Sequence, residues 1–336
     1  MCQVMIDRPP AFFYSFLGWR TAFNKGFFMQ QENNHIRSER RTLGDIPVNV
    51  HWILTKDRAE IAVSHIMPAN HRKGLPPVIL LHGTYSRRNF WISPKGVGLG
   101  SYLANQGFDV WIPELRGHGL SPKGKDFSSI TAEQQIRFDI PAIQNFIRDR
   151  TQIPVTWICH SFGGVYALAS LSCNWLDQRS IRGMITFGSQ ISKGEGFLKI
   201  PPLAWLCQVI LRLLGHFPAP KFGMGPEIEA ADTMIEVIEW KKFRGKWRNS
   251  EGTSYWDGLK QIQIPVCCFA AAAADKNDPP SGCEILYNHI GSKQKTYTLL
   301  GKKNGFLQDY DHIGMIVSKE SQSEIWPLIA KLVKTI

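Results

Sequence analysis

The chain has 336 residues, of which 43% are hydrophobic and 20% charged, and its formal net charge is +11. This composition is typical of a globular protein with an ample core, and no stretch approaches the roughly 18 uninterrupted apolar residues of a membrane span. The basic residues are scattered without a recognition motif, which argues against nucleic acid as a partner. The positive charge fits either attraction to anionic surfaces or plain solubility.

Residues 1–45 differ from the rest and are interpreted as an aromatic and basic N-terminal extension. Aromatic side chains recur there at helical spacing, at Phe12, Phe16, Trp19, Phe23 and Phe27. Two interpretations stay open: residues 8–30 contact a membrane peripherally, or they form a helix packed on the body of the protein. The polar run 30–41 is predicted to be a connector.

The next segments predict alternating strands and helices, which favours a mostly parallel sheet flanked by helices. Residues 47–54 and 60–67 are predicted to pair as antiparallel strands joined by a turn at 56–58. Residues 77–81 form a continuous apolar run, typical of a strand covered on both faces. Thr131 and Gln134 form a capping box before a helix whose buried stripe is Ile136, Ile140, Ile143 and Ile147, and which ends near Arg150.

The most informative segment is 155–164, an apolar strand that turns through Cys159-His160-Ser161-Phe162-Gly163 into a helix. This is the pattern of a nucleophile elbow, in which a serine occupies a strained strand-to-helix turn. Small residues are needed two positions before and after the nucleophile; Gly163 meets this need, whereas Cys159 replaces the usual glycine. Cys159 itself is excluded as nucleophile, because it would need a small residue at the position of Ser161.

A serine nucleophile needs a base and an acid that orients the base. Asp275 follows the apolar run 264–269 and is the favoured acid, while Asp278, which abuts Pro279, better suits a helix cap. His312 lies in a loop after the apolar run 296–300 and is the predicted base. His82, His118 and His160 lie in turns or beside Ser161 and are not expected to serve as the base.

The predicted oxyanion hole consists of two backbone amides. The strand at 77–81 ends in His82-Gly83-Thr84, so the N–H groups of Thr84 and Phe162 are expected to face the developing oxyanion. Arg87 and Arg88 follow this loop. They either meet an anionic head group of the substrate or form ordinary solvated surface.

These motifs resemble the α/β-hydrolase superfamily, especially its acid-lipase and monoacylglycerol-lipase branches. The resemblance rests on Leu81-His82-Gly83, on segment 108–119, on the Ser161 elbow, and on Asp275 and His312 in the order Ser, Asp, His. It implies an α/β-hydrolase fold that lacks cofactor and metal. It assigns residues 46–188 and 259–336 to the core and residues 189–258 to a helical cap.

Within the predicted cap, residues 203–214 are apolar almost all round and are expected to lie over an apolar cleft. Met224, Met234 and Trp240 are candidate pocket walls. The cap would exclude water and line an acyl pocket.

The predicted function is that of a serine hydrolase which cleaves carboxylic esters, particularly lipid acyl esters, through an acyl-serine intermediate. The alternative is an acyltransferase that uses the same triad, and the sequence leaves the oligomeric state open. The seven cysteines are odd in number, partly in apolar runs and without a CxxC spacing. They favour a reducing, cytoplasmic location, with or without peripheral membrane contact.

Overall fold

The computed structural model describes residues 36–67, 75–194, 196–273 and 279–336. Within these residues the strands are β1 (Arg37–Leu43), β2 (Ile46–Leu54), β3 (Glu60–Ile66), β4 (Val78–Leu81), β5 (Val110–Glu114), β6 (Val155–His160), β7 (Ile181–Phe187), β8 (His216–Phe217), β9 (Glu229–Ala230), β10 (Val266–Ala271) and β11 (Lys295–Leu300). The predicted extension at residues 1–35, including the membrane-contact candidate 8–30, lies outside the described residues.

One large sheet organises the described part of the chain, with the strand order β1-β2-β3-β5-β4-β6-β7-β10-β11. From β5 to β11 in this order all neighbours are parallel, and β1, β2, β3 and β5 are joined by antiparallel pairings. The predicted antiparallel pair is confirmed, because β2 and β3 pair with Trp52 opposite Ala62. The predicted mostly parallel sheet is therefore also confirmed.

Helices cover both faces of this sheet. They are α1 (Leu99–Asn105), α2 (Ala132–Gln134), α3 (Ile140–Thr151), α4 (Phe162–Ser172), α5 (Pro201–Leu214), α6 (Ala231–Lys241), α7 (Tyr255–Leu259), α8 (Pro280–His289), α9 (Gly314–Val317), α10 (Lys319–Ser323) and α11 (Ile325–Thr335). The predicted capping box of Thr131 and Gln134 opens α2, and a π-helical stretch, Gln135–Asp139, joins α2 to α3. The four isoleucines of the predicted stripe are all fully buried, as expected.

The core has one cluster on each face of the sheet. Along β4, Ile79 and Leu81 belong to the cluster packed under α3, α4, α7 and α8, whereas Val78 and Leu80 belong to the one under α1 and α11. Successive side chains of a strand point to opposite faces, so a strand buried on both faces must be apolar throughout. This explains why the run 77–81 is continuous in the sequence.

The predicted connector at 30–41 is wrong for its last residues. Residues from Arg37 onward form β1, which pairs antiparallel with β2. Its first four residues are exposed, because β1 is the edge strand of the sheet and carries charges there. The guanidinium of Arg37 lies 4.0 Å from the ring centroid of Trp52, so a polar sequence is compatible with a strand at this position.

Between β7 and β10 the chain forms α5, α6, α7 and the small β8–β9 hairpin. Helices α5 and α6 pack together around a separate apolar cluster that includes Leu198, Leu211 and Ile235. The expectation that residues 203–214 lie over an apolar cleft is not met at the cavity that holds Ser161, because none of them lines it. Only Ala204, Gln208 and Leu211 of this helix are buried, because a single stripe at helical spacing faces α6.

Two further observations concern membranes and cysteines. Within the ranges described, no helix combines the length and the apolarity needed to cross a bilayer. Cys159, Cys173, Cys207, Cys267 and Cys268 are free thiols.

Candidate active site

Ser161 occupies a strained turn between β6 and α4. Its backbone has φ 52° and ψ −129°, a region that side-chain-bearing residues rarely adopt. The Ser161 N–H donates to the carbonyl oxygen of Phe187 on the neighbouring strand, with an N···O distance of 2.8 Å. The sheet therefore holds the strained serine in place, as the elbow pattern predicts.

Positions 159 and 163, two residues before and after Ser161, differ in the size of side chain that they accommodate. A Cβ on Gly163 would collide with the carbonyl oxygen of His82, so this position requires glycine. Cys159 is accommodated because its side chain is fully buried in the apolar cluster under α3 and α4. Burial raises the pKa of the Cys159 thiol well above its usual value, so the thiol stays protonated and cannot replace Ser161 as nucleophile.

One cavity of about 610 Å³ brings the predicted site residues together. Ser161, His312, Thr84 and Phe162 all line it. Its other walls are mainly apolar and include Phe90, Leu198, Met224, Met234, Val237 and Ile238. Asp275, the favoured acid, and Asp278, its competitor, lie outside the described residues.

The His312 ring is seated against the backbone beside the elbow. Gly188 has φ +61°, and a Cβ there would lie 2.6 Å from His312 Nδ1. Gly188 directly follows Phe187, the residue that accepts the Ser161 N–H. The absence of a side chain at position 188 thus makes room for the imidazole next to the serine.

His160 contacts His312, but its role is to bind the His312 backbone and not to act as a base. Its Nε2–H donates to the carbonyl oxygen of His312 at 2.8 Å, and the two ring centroids are 4.6 Å apart. Burial lowers the pKa of His160 well below its usual value, and the nearby charge of His312 lowers it further. A neutral His160 can therefore hold the His312 backbone without competing for the proton of Ser161.

The predicted oxyanion loop is fixed by His82. The Leu115 N–H donates to His82 Nε2, so His82 Nδ1 carries the proton and donates to the Gly83 carbonyl oxygen at 2.7 Å. Burial and the neighbouring charge of His118 lower the pKa of His82 to about 3. The neutral ring thus keeps one tautomer and clamps the loop that carries Thr84.

Gly83 brings this loop directly against the nucleophile. A Cβ on Gly83 would lie 2.8 Å from Ser161 Cβ and 3.4 Å from the amide nitrogen of Phe162. Phe162 begins α4, and the first amides of a helix have no partner within the helix. The amide of Phe162 is therefore suited to stabilise negative charge in the cavity.

Comparisons with known proteins identify the family of the chain. The family described as "alpha/beta hydrolase fold" matches residues 76–204. The tear acid lipase-like protein of Mesocricetus auratus is 33% identical over 288 residues, which cover 78% of this chain and 67% of that protein. The chain belongs to the α/β-hydrolase fold family. Its lipase relatives place it among the carboxylic ester hydrolases.

Two more relatives define the extent of the likeness. The gastric triacylglycerol lipase of Bos taurus is 31% identical over 140 residues, which cover 38% of this chain but only 35% of that lipase. The crystal structure of the Paleococcus ferrophilus monoacylglycerol lipase superposes with a TM-score of 0.56 at 16% identity. That alignment covers 82% of this chain and 98% of the other. At this identity the structural likeness shows the fold alone.

The hydrolase also contains an ionic contact that the sequence did not reveal. His118 Nε2 lies 3.1 Å from Glu229 Oε2, and both side chains are buried. Glu227 pairs with Arg87 and with Lys123, and its N–H donates to the Tyr85 carbonyl oxygen. We call this set, centred on Glu227 and Glu229, the acidic latch; it ties β9 to the loop that follows Thr84.

Five further residues were predicted from the sequence to lie at or near the substrate, and the structure shows where each one lies. Arg87 pairs with Glu227, and Arg88 donates to Ser64, so both have protein partners, and neither lines the cavity of the hydrolase. Met224 and Met234 line the cavity, as predicted. The prediction for Trp240 is wrong: its ring is buried in the core, and its Nε1–H donates to the Arg248 carbonyl oxygen.

Gly83→Ala should lower turnover while the protein stays folded. The added methyl would press on Ser161 Cβ and push away the Thr84 amide, a predicted oxyanion donor; loss of one such donor typically costs about 10²- to 10³-fold in rate. The measurement is kcat for a soluble ester together with the melting temperature. Gly196→Ala is the matched control, because its Cβ would meet nothing within 4 Å. Unchanged kcat in Gly83→Ala would contradict this account of the loop.

The contact between His118 and Glu229 in the acidic latch should stabilise the folded hydrolase more in mild acid than in base. Burial lowers the pKa of His118, but the charge and hydrogen bond of Glu229 outweigh it, so the folded pKa lies above the ordinary value. The stabilisation by this contact is fully present below a pH of about 6.5, the pKa of His118 in the unfolded chain. It is lost as the pH rises through the higher pKa of His118 in the folded protein.

Glu229→Gln should therefore lower the melting temperature strongly at about pH 5.5 and less at about pH 9, since breaking a buried pair costs about 3–5 kcal/mol. The measurement is thermal melting across this range. Glu251→Gln, which removes an exposed pair with Arg137, is the control and should change little at either pH. A Glu229→Gln deficit that grows with pH would refute the assignment.

Proposed function

We propose that this chain hydrolyses the carboxylic esters of lipids through an acyl-serine intermediate formed on Ser161. The observation that carries the proposal is that Ser161, His312, Thr84 and Phe162 line one cavity beside a strained elbow. Asp275 is proposed as the orienting acid from its position in the sequence, after the end of β10 at Ala271 and before His312.

The proposed mechanism uses the side chains around this cavity in two half-reactions. His312 takes the Ser161 proton as the hydroxyl attacks the ester carbonyl, and the amides of Thr84 and Phe162 receive the oxyanion. The same imidazole then protonates the leaving alcohol. In the second half-reaction His312 activates water, which attacks the acyl-serine and releases the acid.

The shape and lining of the cavity support a lipid acyl group as the substrate. Leu198, Met224, Met234, Val237 and Ile238 form apolar walls on the side contributed by residues 189–258. An acyl chain held there would lose its contact with water at little polar cost. The tear acid lipase-like protein and the gastric triacylglycerol lipase, to which the chain is similar, support the same substrate class. We also propose that residues 189–258 act as the cap of this site.

The test is covalent labelling combined with a series of nitrophenyl esters of increasing chain length. A fluorophosphonate should label Ser161 in the folded protein, and Ser161→Ala should lose labelling and at least about 10³-fold of the hydrolysis rate. The preference should favour medium and long chains. A folded chain that resists the probe would refute the serine mechanism, and a preference for short chains would refute the lipid substrate.

Product identification in the same reactions separates hydrolysis from the acyltransferase alternative. Acid should be released in water and should remain the main product when glycerol or an amine is added. A dominant new ester or amide would favour acyl transfer, because the acyl-serine would then react with the acceptor before water reaches it.

Asp275→Asn should reduce kcat by orders of magnitude, by analogy with about 10⁴-fold in a serine protease triad, while Asp278→Asn should have little effect. The physical reason is that an amide cannot stabilise the imidazolium formed on His312. The measurement is kcat for both variants on the best ester of the series. If Asp278→Asn is the damaging change, Asp278 is the acid.

A further inference from the structure

The cavity that holds Ser161 contains one lysine, Lys241, in walls that are mainly apolar. Among the described residues that line the cavity, Lys241 is the only lysine or arginine, and none is an aspartate or a glutamate. Arg87 and Arg88, which the sequence suggested as contacts for an anionic head group, do not line it. A charged side chain in such a cavity determines which ligands fit, because burying a charge is costly unless an opposite charge meets it.

Helix α6 places Lys241 on the same side as its apolar cavity residues. Met234, Val237 and Ile238 line the cavity, and Lys241 follows them on the same helix. Residues three, four and seven positions apart share one face of a helix. Lys241 is the last residue of α6, so the apolar stripe that faces the cavity ends in a cation.

The ammonium group of Lys241 lies beside the proposed oxyanion donor. Its Nζ is 5.2 Å from the ring centroid of Phe162, whose amide is expected to receive the oxyanion. Gly194 leaves room for the lysine, because a Cβ at this position would lie 3.0 Å from Lys241 Cδ and 3.5 Å from Nζ. Phe162 and Gly194 both line the cavity. The cation therefore lies against two of the cavity walls, close to the position of the reacting ester.

The other charged residues near the end of α6 have separate contacts. Gln208 donates to Glu239, which also pairs with Lys242, and neither Glu239 nor Lys242 lines the cavity. Lys199 Nζ donates to the Lys241 carbonyl oxygen and brings a second cation to this end of the helix. An ammonium group has three donors, so Lys241 can bind an anion in addition to partners within the protein.

We propose that Lys241 forms a phosphate subsite, so that the preferred substrate is an acyl ester whose alcohol part carries a phosphate group. This subsite rests on the proposed function, which places the ester at Ser161. Lysine binds phosphate as a compact point charge and does not need the planar match of arginine. Only a few bonds separate a phosphate on the alcohol part from the ester, so it can reach Lys241 while the ester carbonyl faces the Phe162 amide. A charge at the far end of the acyl chain would instead lie among apolar walls.

The test compares two esters that differ only in this group, a monodecanoylglycerol and its phosphate monoester, below their micellar concentrations. The release of decanoic acid gives kcat/KM for each ester. The wild-type protein should favour the phosphate by about tenfold, which corresponds to one charge-assisted hydrogen bond. The salt concentration is about 0.15 M, where the Debye length is about 8 Å, so that the net charge of +11 does not by itself produce the preference.

Lys241→Gln should remove the preference, because the amide carries no charge. The ratio of the two kcat/KM values should fall about tenfold, and Lys241→Arg should retain most of it. The matched control is Lys242→Gln, since this neighbouring lysine pairs with Glu239 and does not line the cavity. Its ratio should equal that of the wild type. Melting temperatures verify that each variant is folded.

A binding measurement separates the phosphate subsite from the proposed function. Ether analogues of the two compounds contain no ester, so their calorimetric titration into Ser161→Ala measures recognition without hydrolysis. The ether phosphate should bind about tenfold more tightly than the neutral ether, and adding Lys241→Gln should abolish the difference. Tighter binding of the phosphate without turnover of either ester would support the subsite and refute ester hydrolysis.

Three outcomes would overturn the phosphate subsite. Hydrolysis of both esters with equal kcat/KM, or with a preference for the neutral one, would show that the cavity does not select phosphate, while the proposed function would stand. Equal binding of the two ethers would show the same without catalysis. A preference for phosphate that persists in Lys241→Gln would show that another group binds it.

Discussion

The strained backbone at Ser161 is the constraint on which the site depends. A non-glycine residue with φ 52° and ψ −129° costs about 1–3 kcal/mol and persists only where neighbouring structure over-determines it. Here the Ser161 N–H donates to the Phe187 carbonyl oxygen. Two glycines also let the backbone pack closely: Gly163 lies against the His82 carbonyl oxygen, and Gly83 lies against the Ser161 Cβ. The parallel pairing of β4, β6 and β7 brings these three points together.

Two histidines next to this elbow act through their neutral forms. His82 and His160 are buried, their pKa values are lowered, and each donates one N–H to a backbone carbonyl oxygen, of Gly83 and of His312 respectively. Each ring thus fixes a loop that supplies one part of the proposed machinery. Buried imidazoles are suited to this role because their neutral form has a donor in a defined direction.

The segment between β7 and β10 has an inner and an outer side with different roles. On the inner side, α6 contributes Met234, Val237 and Ile238 to the cavity, and the acidic latch fixes β9 to the loop after Thr84. On the outer side, α5 keeps its apolar residues exposed. One segment can therefore shape the cavity and present a separate apolar surface, because a helix packs with only part of its circumference.

Local patterns in the sequence predicted much of the fold. The buried run at 77–81, the capping box of Thr131 and the elbow at Ser161 each follow from the residues themselves, since periodicity, caps and tight turns depend on near neighbours in the chain. The last residues of the run 30–41, predicted as a connector, form an edge strand instead, because an edge strand may be polar and its pairing with β2 is not visible locally.

The sequence by itself determined the order of the proposed catalytic residues and the apolar strands that carry them. Only the tertiary structure decided that Ser161, His312, Thr84 and Phe162 line one cavity, that Glu229 meets His118, and which side of α5 is buried. The physical reason is distance along the chain: Glu229 and His118 are 111 residues apart, and such contacts arise only when the sheet brings remote loops together.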